Sequence, residues 1–192
     1  MGAGRGAKRA HGDKAVVDVE IEKLLRQQLL GLFFCHFWGE ESGQTLTEHP
    51  WCWIVDPNDG TIDFLRGLKG SAISVGLLYK YTPVLGVVYA PVTEEGILDC
   101  IAWAEGLPAL LRNGQPLILK LLDLPWSSDS RVMLSSAAVN KSDINLELCS
   151  PSAFVAMPSI AYRLAKVAAR DGVCGVSLYT VSAHDVVAGH AC

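Results

Sequence analysis

No two cysteines in this sequence stand in a C-x-x-C pair, and no C-x-x-C is followed by paired histidines. The common zinc frameworks are thereby excluded. Cys35, Cys52, Cys100, Cys149, Cys174 and Cys192 are even in number. The chain is core-rich and shows no secretory leader, so reduced, mostly buried thiols are expected instead of disulfides. Positive charge is not in excess: 16 Lys and Arg face 20 Asp and Glu, for a net charge of −4. That balance excludes a nucleic-acid binder held by a basic surface and leaves carboxylates free for metal. No run of about eighteen apolar residues occurs, as a membrane-spanning helix would need. The nearest, Leu24 to Trp38, is broken by Arg26, Gln27, Gln28 and His36. Internal repeats, a signal-peptide pattern and the Ser/Thr of a myristoylation start are absent as well. A cytoplasmic protein with no membrane and no nucleic-acid partner is expected.

What is present is apolar. Of 192 residues, 50% are hydrophobic, and the mean hydropathy is +0.27. Such a chain can bury a large core, which excludes disorder for most of it. Residues 1–14, rich in Gly, Ala, Lys and Arg, are read as a short disordered arm. Residues 15–192 are read as one domain, with lobes at about 15–125 and 126–192.

A helix is predicted over Val16 to Leu30, where Val17, Ile21, Leu24, Leu25 and Leu29 recur at helical spacing. On it, Asp18 and Glu22 share a face at i,i+4. Apolar runs predict strands at Leu32 to Trp38, Trp51 to Val55, Ala72 to Tyr79, Val84 to Tyr89, Ile97 to Ala104, Arg131 to Ser135 and Val173 to Tyr179. A short helix is expected from Thr61 to Leu65 and an Asn-Gly turn at Arg112 to Gln115. Further helices are expected at Ile160 to Ala169, with Leu164 and Val167 inward, and from His184 to His190. Strands in hairpin-like clusters with helices between them predict a layered α/β or α+β fold.

Three acidic clusters follow apolar segments: Gly39-Glu40-Glu41-Ser42, Asp56-Pro57-Asn58-Asp59-Gly60-Thr61 and Ala183-His184-Asp185. Carboxylates beyond strand ends can converge at one sheet edge, where ligands bind in α/β folds. Close carboxylates repel unless a cation neutralises them, and Mg²⁺ suits oxygen ligands. In the second cluster Pro57 stiffens the turn, the Asn58 carbonyl can face a metal, and Asp56 and Asp59 can each reach it. Gly60-Thr61 opens a helix, whose N-terminus suits phosphate. Taken singly, each cluster has a plainer reading. Asp59, Thr61 or Asp185 can simply cap a helix, and Glu40-Glu41 can be a solvated loop. Arg163 and Lys166 could meet a substrate phosphate but read rather as a solvated helix face, His36 and His49 as structural or exposed, and Cys192 as an exposed thiol. Trp51, Trp53, Trp103 and Trp126 read as packing residues.

The stretch Asp56-Pro57-Asn58-Asp59-Gly60-Thr61-Ile62-Asp63-Phe64 resembles the DPxDGTxxF signature of the inositol monophosphatase family of Mg²⁺-dependent, lithium-sensitive phosphatases. Trp38-Gly39-Glu40-Glu41-Ser42-Gly43 resembles that family's GEES segment. Ala72 to Leu77 resembles the strand after the signature. Gly86-Val87-Val88-Tyr89-Ala90-Pro91 resembles its GVVYxP strand, Asn113-Gly114-Gln115-Pro116-Leu117 its NGxPI turn, and His184-Asp185-Val186-Val187-Ala188-Gly189 its WDxAAG motif. The resemblance runs from about Val16 to Cys192 and implies a layered αβαβα sugar-phosphatase fold.

By matching position, the resemblance implies metal ligation by Glu40, Asp56, Asp59, Asp185 and the Asn58 carbonyl, around two or three Mg²⁺ ions. Asp56 would be shared between ions, and Glu40 would also contact the attacking water. The Gly60 and Thr61 amides would bind phosphate, with Asp59 and Asp185 beside the substrate. The Thr61 hydroxyl would orient the water while hydrogen-bonded to Asp18, the two forming an activating dyad. The implied reaction is in-line attack of water on the phosphate of inositol monophosphate or a related small polyol phosphate. Other activities within the resemblance are a 3′(2′),5′-bisphosphate nucleotidase, a histidinol-phosphatase and a fructose-1,6-bisphosphatase, although the extra basic residues of the last are not evident. A homodimer is common in the family.

The chain departs from the pattern at Ala15, where the family has a threonine, at Pro158, where it has a small residue, and at His184, where it has a tryptophan. His184 is expected to alter packing near the substrate. Family members are longer, so the expected fold is incomplete at its C-terminal end, and an inactive metal- or phosphate-binding fragment is a further reading.

Overall fold

The computed structural model describes residues 16–45, 47–118 and 126–192. The arm expected at 1–14 and the lobe boundary at 125 lie outside the described residues.

Helix α1, Val16–Leu32, is followed by β1 (His36–Gly39), β2 (Gly43–Thr45), β3 (Trp51–Asp59), α2 (Thr61–Leu65), β4 (Ala72–Tyr79), β5 (Thr82–Ala90) and β6 (Asp99–Ala104). Two short strands, β7 (Leu111–Arg112) and β8 (Gln115–Pro116), complete an eight-stranded sheet. Its order is β2-β1-β3-β4-β5-β6-β7-β8. The β1–β3 pair is parallel and the other pairs are antiparallel. The Asn-Gly turn joins β7 to β8, with Asn113 and Gly114 both at positive φ, as that hairpin type requires.

The rest of the chain builds β9 (Arg131–Ser135), α3 (Ser142–Cys149), β10 (Ala153–Met157), α4 (Ile160–Ala168), β11 (Cys174–Gly175) and α5 (Ala183–Ala191). Strands β10, β9 and β11 form a second, parallel sheet in that order.

Strand alternation gives the large sheet two apolar faces. On one, Phe37, Trp53, Val55, Val75 and Leu77 meet Leu25, Leu29 and Leu30 of α1. On the other, Ala72, Val88, Ala90 and Ile101 join Ala188 of α5, Ala161, Tyr162 and Ala165 of α4, and Met133 and Met157 of the small sheet. Helix α4 touches α5 and both sheets, and α3 packs on β10. The layers are therefore α1, the large sheet, the α4–α5 pair, the small sheet and α3. This is the mixed α/β architecture expected.

Several local expectations are corrected. The run after Leu32 is not strand until His36, because α1 continues to Leu32. Strand β3 continues through Asp59, where a turn was expected at Asp56-Pro57. The strand expected over Val173 to Tyr179 is only Cys174–Gly175. Beyond it the Val176 carbonyl is taken by Arg163, and the chain leaves the sheet to reach α5. Strands β2 and β10 and helix α3 carried no periodic signal and were not expected. On α4 the buried residues are Ile160, Ala161, Tyr162, Arg163 and Ala165, while Leu164 and Val167 are half-buried. The close helix–helix contact requires Gly189 of α5, since a Cβ there would stand 2.6 Å from the Ala161 carbonyl oxygen.

All six cysteines are free: Cys35 and Cys149 are buried and the other four half-buried. Cys192 is not the exposed thiol expected. Its Sγ lies 3.7 Å from the Gly86 carbonyl oxygen, and burial pushes its pKa up to about 12. Among the described residues no helix is long and apolar enough to cross a membrane.

Candidate active site

Asp56 and Asp59 are three positions apart, which in a regular strand puts their side chains on opposite faces. In β3 the register shifts between them: Asp56 pairs with Ser74 and Asp59 with Ala72. Three steps along β3 thus match two along β4, the one-residue excess of a β-bulge. Ser74 and Ala72 share a face of β4, so the bulge brings both aspartates to that face. The same face receives α5, because Ser74 Oγ donates to the His184 carbonyl at 3.0 Å. That contact sets the first turn of α5, with Asp185, against β3. Carboxylate oxygens of Asp56, Asp59 and Asp185 consequently lie within 4.8 Å of one another.

Each carboxylate is held separately. Asp56 Oδ1 accepts the Asn58 amide at 2.8 Å. Asp59 Oδ2 accepts Ser159 Oγ at 2.6 Å and the Ala161 amide at 2.7 Å, which ties β3 to the N-terminus of α4. Asp185 Oδ2 accepts the Ser182 amide at 2.5 Å. Asp185 is therefore the third residue of a capping box, with Ser182 as the cap.

Burial, joined by the charges of Asp59 and Glu40 and a hydrogen bond with Glu40, holds the Asp56 carboxyl well above its usual range. Burial raises Asp59 from 3.8 to about 7, against the lowering effect of its bonds to Ser159 and Ala161. A set of carboxylates that cannot comfortably be ionised together suits a hard divalent cation. The cluster can hold a metal ion.

Helix α1 supplies the second half of the site, and its most buried residues are acids, although Leu25, Leu29 and Leu30 also face the large sheet. Its buried residues are Asp18 and Glu22, at 1% and 2% exposure, whereas Leu24 is 58% exposed. Buried acids need partners. Asp18 accepts Asn58 Nδ2 at 3.0 Å and the Thr61 hydroxyl at 3.1 Å. Thr61 Oγ1 also lies 2.9 Å from the Asn58 carbonyl oxygen, which draws that carbonyl toward the hydroxyl. Glu22 accepts the backbone amides of Glu41 and Ser42, each at 2.7 Å, and so anchors the loop that carries Glu40. Glu40 is exposed, outside the group of three but in electrostatic reach of Asp56. Gly60, between Asp59 and Thr61, has φ +98°, and a Cβ there would stand 2.7 Å from Pro158 Cβ.

A model of the inositol monophosphatase family matches residues 5–192. The chain belongs to the inositol monophosphatase family. It is 33% identical over 109 residues to the probable inositol 1-monophosphatase ImpA of Mycobacterium tuberculosis, covering 57% of this chain and 38% of that protein. It is 36% identical over 114 residues to inositol monophosphatase 1 of Solanum lycopersicum, covering 55% and 41%. The matched segments thus span about two fifths of these relatives' own lengths. A solved structure of SaIMPase-II with inositol monophosphate bound superposes with a TM-score of 0.71 at 24% identity, covering 91% of this chain and 67% of that one. With 2′-AMP bound the TM-score is 0.70 at 23% identity, over 91% and 67%.

Two expectations near this inositol-monophosphatase-family site change. Arg163 is not on a solvated face: it is 3% exposed, with Nε 3.2 Å from the Ser159 carbonyl oxygen and its charge beside Asp59. Lys166 is not free in solvent but pairs with Asp171 at 2.8 Å. His184 is 9% exposed, edge-on to Trp38 with ring centroids 4.9 Å apart. Its Nδ1 lies 2.9 Å from Ser182 Oγ, and its Nε2 is buried with no hydrogen-bond partner among the described residues. Burial pulls its pKa down, against the charges of Asp185 and Glu22. The roles of Glu22, Ser74 and Ser159 were missed. Only the i,i+4 pairing of Asp18 and Glu22 hinted at the first.

Proposed function

We propose that this chain forms the phosphate-cleaving part of a Mg²⁺-dependent phosphomonoesterase acting on inositol monophosphate or a related small polyol phosphate. The convergence of Asp56, Asp59 and Asp185 within 4.8 Å carries this reading. Asp56, Asp59 and Asp185, with Glu40 and the Asn58 carbonyl, are the proposed ligands of two or three Mg²⁺ ions. The donor set fits: all are oxygens, and the Asp56 and Asp59 carboxyls are pushed toward protonation when no cation is bound. When bound, Mg²⁺ would acidify the attacking water and neutralise charge at phosphorus and the leaving oxygen.

The chain's own groups do the positioning. The Thr61 hydroxyl, held by Asp18, orients the water, and Glu40 contacts it from the opposite cluster. The Gly60 and Thr61 amides, at the start of α2, receive the phosphate oxygens, with Asp59 and Asp185 beside the substrate. Water oxygen bonds to phosphorus, the bond from phosphorus to the polyol oxygen breaks, and the products are inorganic phosphate and the free alcohol. A bisphosphate nucleotide is the second substrate reading, supported by the neighbouring structure that holds 2′-AMP. A cytoplasmic location, supported by six free cysteines, a homodimer, and the division into lobes at about 15–125 and 126–192 belong to the same proposal.

The test is phosphate release from inositol monophosphate, a 3′,5′-bisphosphate nucleotide, histidinol phosphate and fructose 1,6-bisphosphate, with Mg²⁺ and with or without Li⁺. Mg²⁺-dependent, Li⁺-inhibited release that Asp56→Asn abolishes is expected. Release by Asp56→Asn at the parent rate overturns the ligand assignment. No release from any substrate leaves a chain that binds metal or phosphate without turnover.

A further inference from the structure

A continuous hydrogen-bonded path leads from Asp59 to a half-buried ion network between the two sheets. Asp59 Oδ2 accepts Ser159 Oγ at 2.6 Å, and Ser159 Oγ accepts the Tyr162 amide at 2.9 Å. The same Tyr162, 3% exposed, sends its phenol to Asp99 Oδ2 at 2.7 Å. Asp99, on β6, is 3% exposed and gripped by Arg112 of β7 through Nε at 2.9 Å and an Nη at 2.7 Å. The other edge of that guanidinium holds both Asp171 oxygens at 3.0 Å, just past α4. Lys166 completes the network on Asp171 at 2.8 Å.

We propose that Tyr162, and Arg112 acting through it, are positioning residues for Asp59, fixing the rotation of α4 that presents Ser159 Oγ and the Ala161 amide to that carboxylate. The proposal rests on the reading of Asp59 as a metal ligand. Three features support it. Tyr162 contributes to both ends of the path, its amide to the cap and its phenol to the network. Helix α4 has only nine residues, so a rotation at Tyr162 is felt at Ala161 and Ser159, less than one turn away. Arg112 uses the planar two-edged donor set that only a guanidinium offers, which fixes direction as well as charge. Burial and Asp99 also push the Tyr162 phenol well above its usual pKa, so it remains a donor. Carboxylate ligands are commonly oriented by such outer partners.

The experiment measures Mg²⁺ affinity by calorimetry, thermal unfolding, and hydrogen exchange at the Ala161 and Tyr162 amides. Tyr162→Phe removes one hydroxyl and keeps the ring. Arg112→Lys keeps the charge and loses the fork. Lys166→Met is the control: it loosens the network at Asp171 and removes the cation 5.3 Å from the Tyr162 ring centroid, but it leaves the amide and phenol hydrogen bonds of Tyr162 in place. Tyr162→Phe and Arg112→Lys are expected to weaken Mg²⁺ binding by about tenfold, the low end for an outer partner of a metal ligand, and to speed exchange at both amides. Lys166→Met should lower the melting temperature and leave affinity unchanged. Unchanged affinity in Tyr162→Phe and Arg112→Lys overturns the positioning role alone. An equal loss in Lys166→Met overturns it too, because general loosening would then be the cause. A parent protein that binds no Mg²⁺ overturns the ligand reading of Asp59 and the inference with it.

Discussion

The Glu22 carboxyl occupies the space that a side chain on Gly39 would need: a Cβ there would stand 2.3 Å from Glu22 Cδ. The absence of a side chain at the end of β1 thus lets a helix acid reach two backbone amides beyond it. Gly39→Ala is expected to expel Glu22 from the loop. Glu22→Gln keeps the volume but turns one acceptor into a donor against an amide. Hydrogen bonds to a buried charge contribute about 2 kcal/mol, so a fall of roughly 4–8 °C in melting temperature is expected for either variant. Phosphate release should fall with it, since the loop carries Glu40. Parent-like stability in both variants would show that the clamp does not matter.

The raised carboxyls make metal binding compete with protons. Asp59, lifted from 3.8 to about 7, binds its proton more tightly folded than unfolded. That contribution to stability is complete below about pH 4 and is lost as pH rises through about 7. A divalent cation needs the ionised form, so its stabilising effect should grow over the same window. The rise in melting temperature on adding Mg²⁺ is therefore expected to be larger at about pH 8 than at about pH 5. Calorimetry near neutral pH in two buffers of different ionisation heat should show proton release. An equal effect at both pH values contradicts the raised values of Asp56 and Asp59.

How far the sequence disclosed this arrangement depends on the range of the interactions. Strands β4 and β9 and helix α2 were legible to the residue, because alternation, a helix opening at Thr61 and nearby turn residues are local signals. The convergence of Asp56, Asp59 and Asp185 was legible from carboxylates beyond strand ends and from motif resemblance, but how it is built was not, because it depends on a bulge and on Ser74 meeting α5 across 110 residues. Arg163 was misread for a related reason. Helix α4 lies between two sheets and α5, so the face that periodicity assigns to solvent is covered. In α1 the acids are inside because their partners, the Asn58 and Thr61 side chains and the loop amides at Glu41 and Ser42, come from beyond β1. No pattern within the helix encodes that.

The Thr61–Asp18 contact separates binding from turnover. Thr61→Val keeps the shape, and the carboxylate cluster does not include the hydroxyl. Mg²⁺ affinity should stay near that of the parent while kcat falls about 100-fold, the usual size of a lost water-orienting group. Asp18→Asn should lower kcat as well, because an amide oxygen is a weaker acceptor. It should also reduce stability, since Asp18 is 1% exposed and additionally holds Asn58. The check is steady-state kinetics beside metal titration. A rise in KM with kcat unchanged in Thr61→Val would place the hydroxyl in substrate binding instead.

Helix α5 brings Asp185 to the cluster only because the sheet beneath it is bare at two glycines. A Cβ on Gly86 would stand 2.1 Å from the Ala188 carbonyl oxygen, and one on Gly76 2.5 Å from a Val187 methyl. The two obstacles differ in kind. Val187 is a side chain that can turn aside, whereas the Ala188 carbonyl belongs to the helix backbone and moves only with α5. Gly86→Ala is therefore expected to cost about 2–3 kcal/mol, the range of overpacking in a filled core. It should also displace Asp185 from Asp56 and Asp59. Gly76→Ala should cost less and leave metal binding closer to the parent. Denaturant unfolding gives the first difference and Mg²⁺ titration the second. Equal losses in the two variants would mean that α5 is not held by its backbone contact on β5, and that Ser74 alone sets its position.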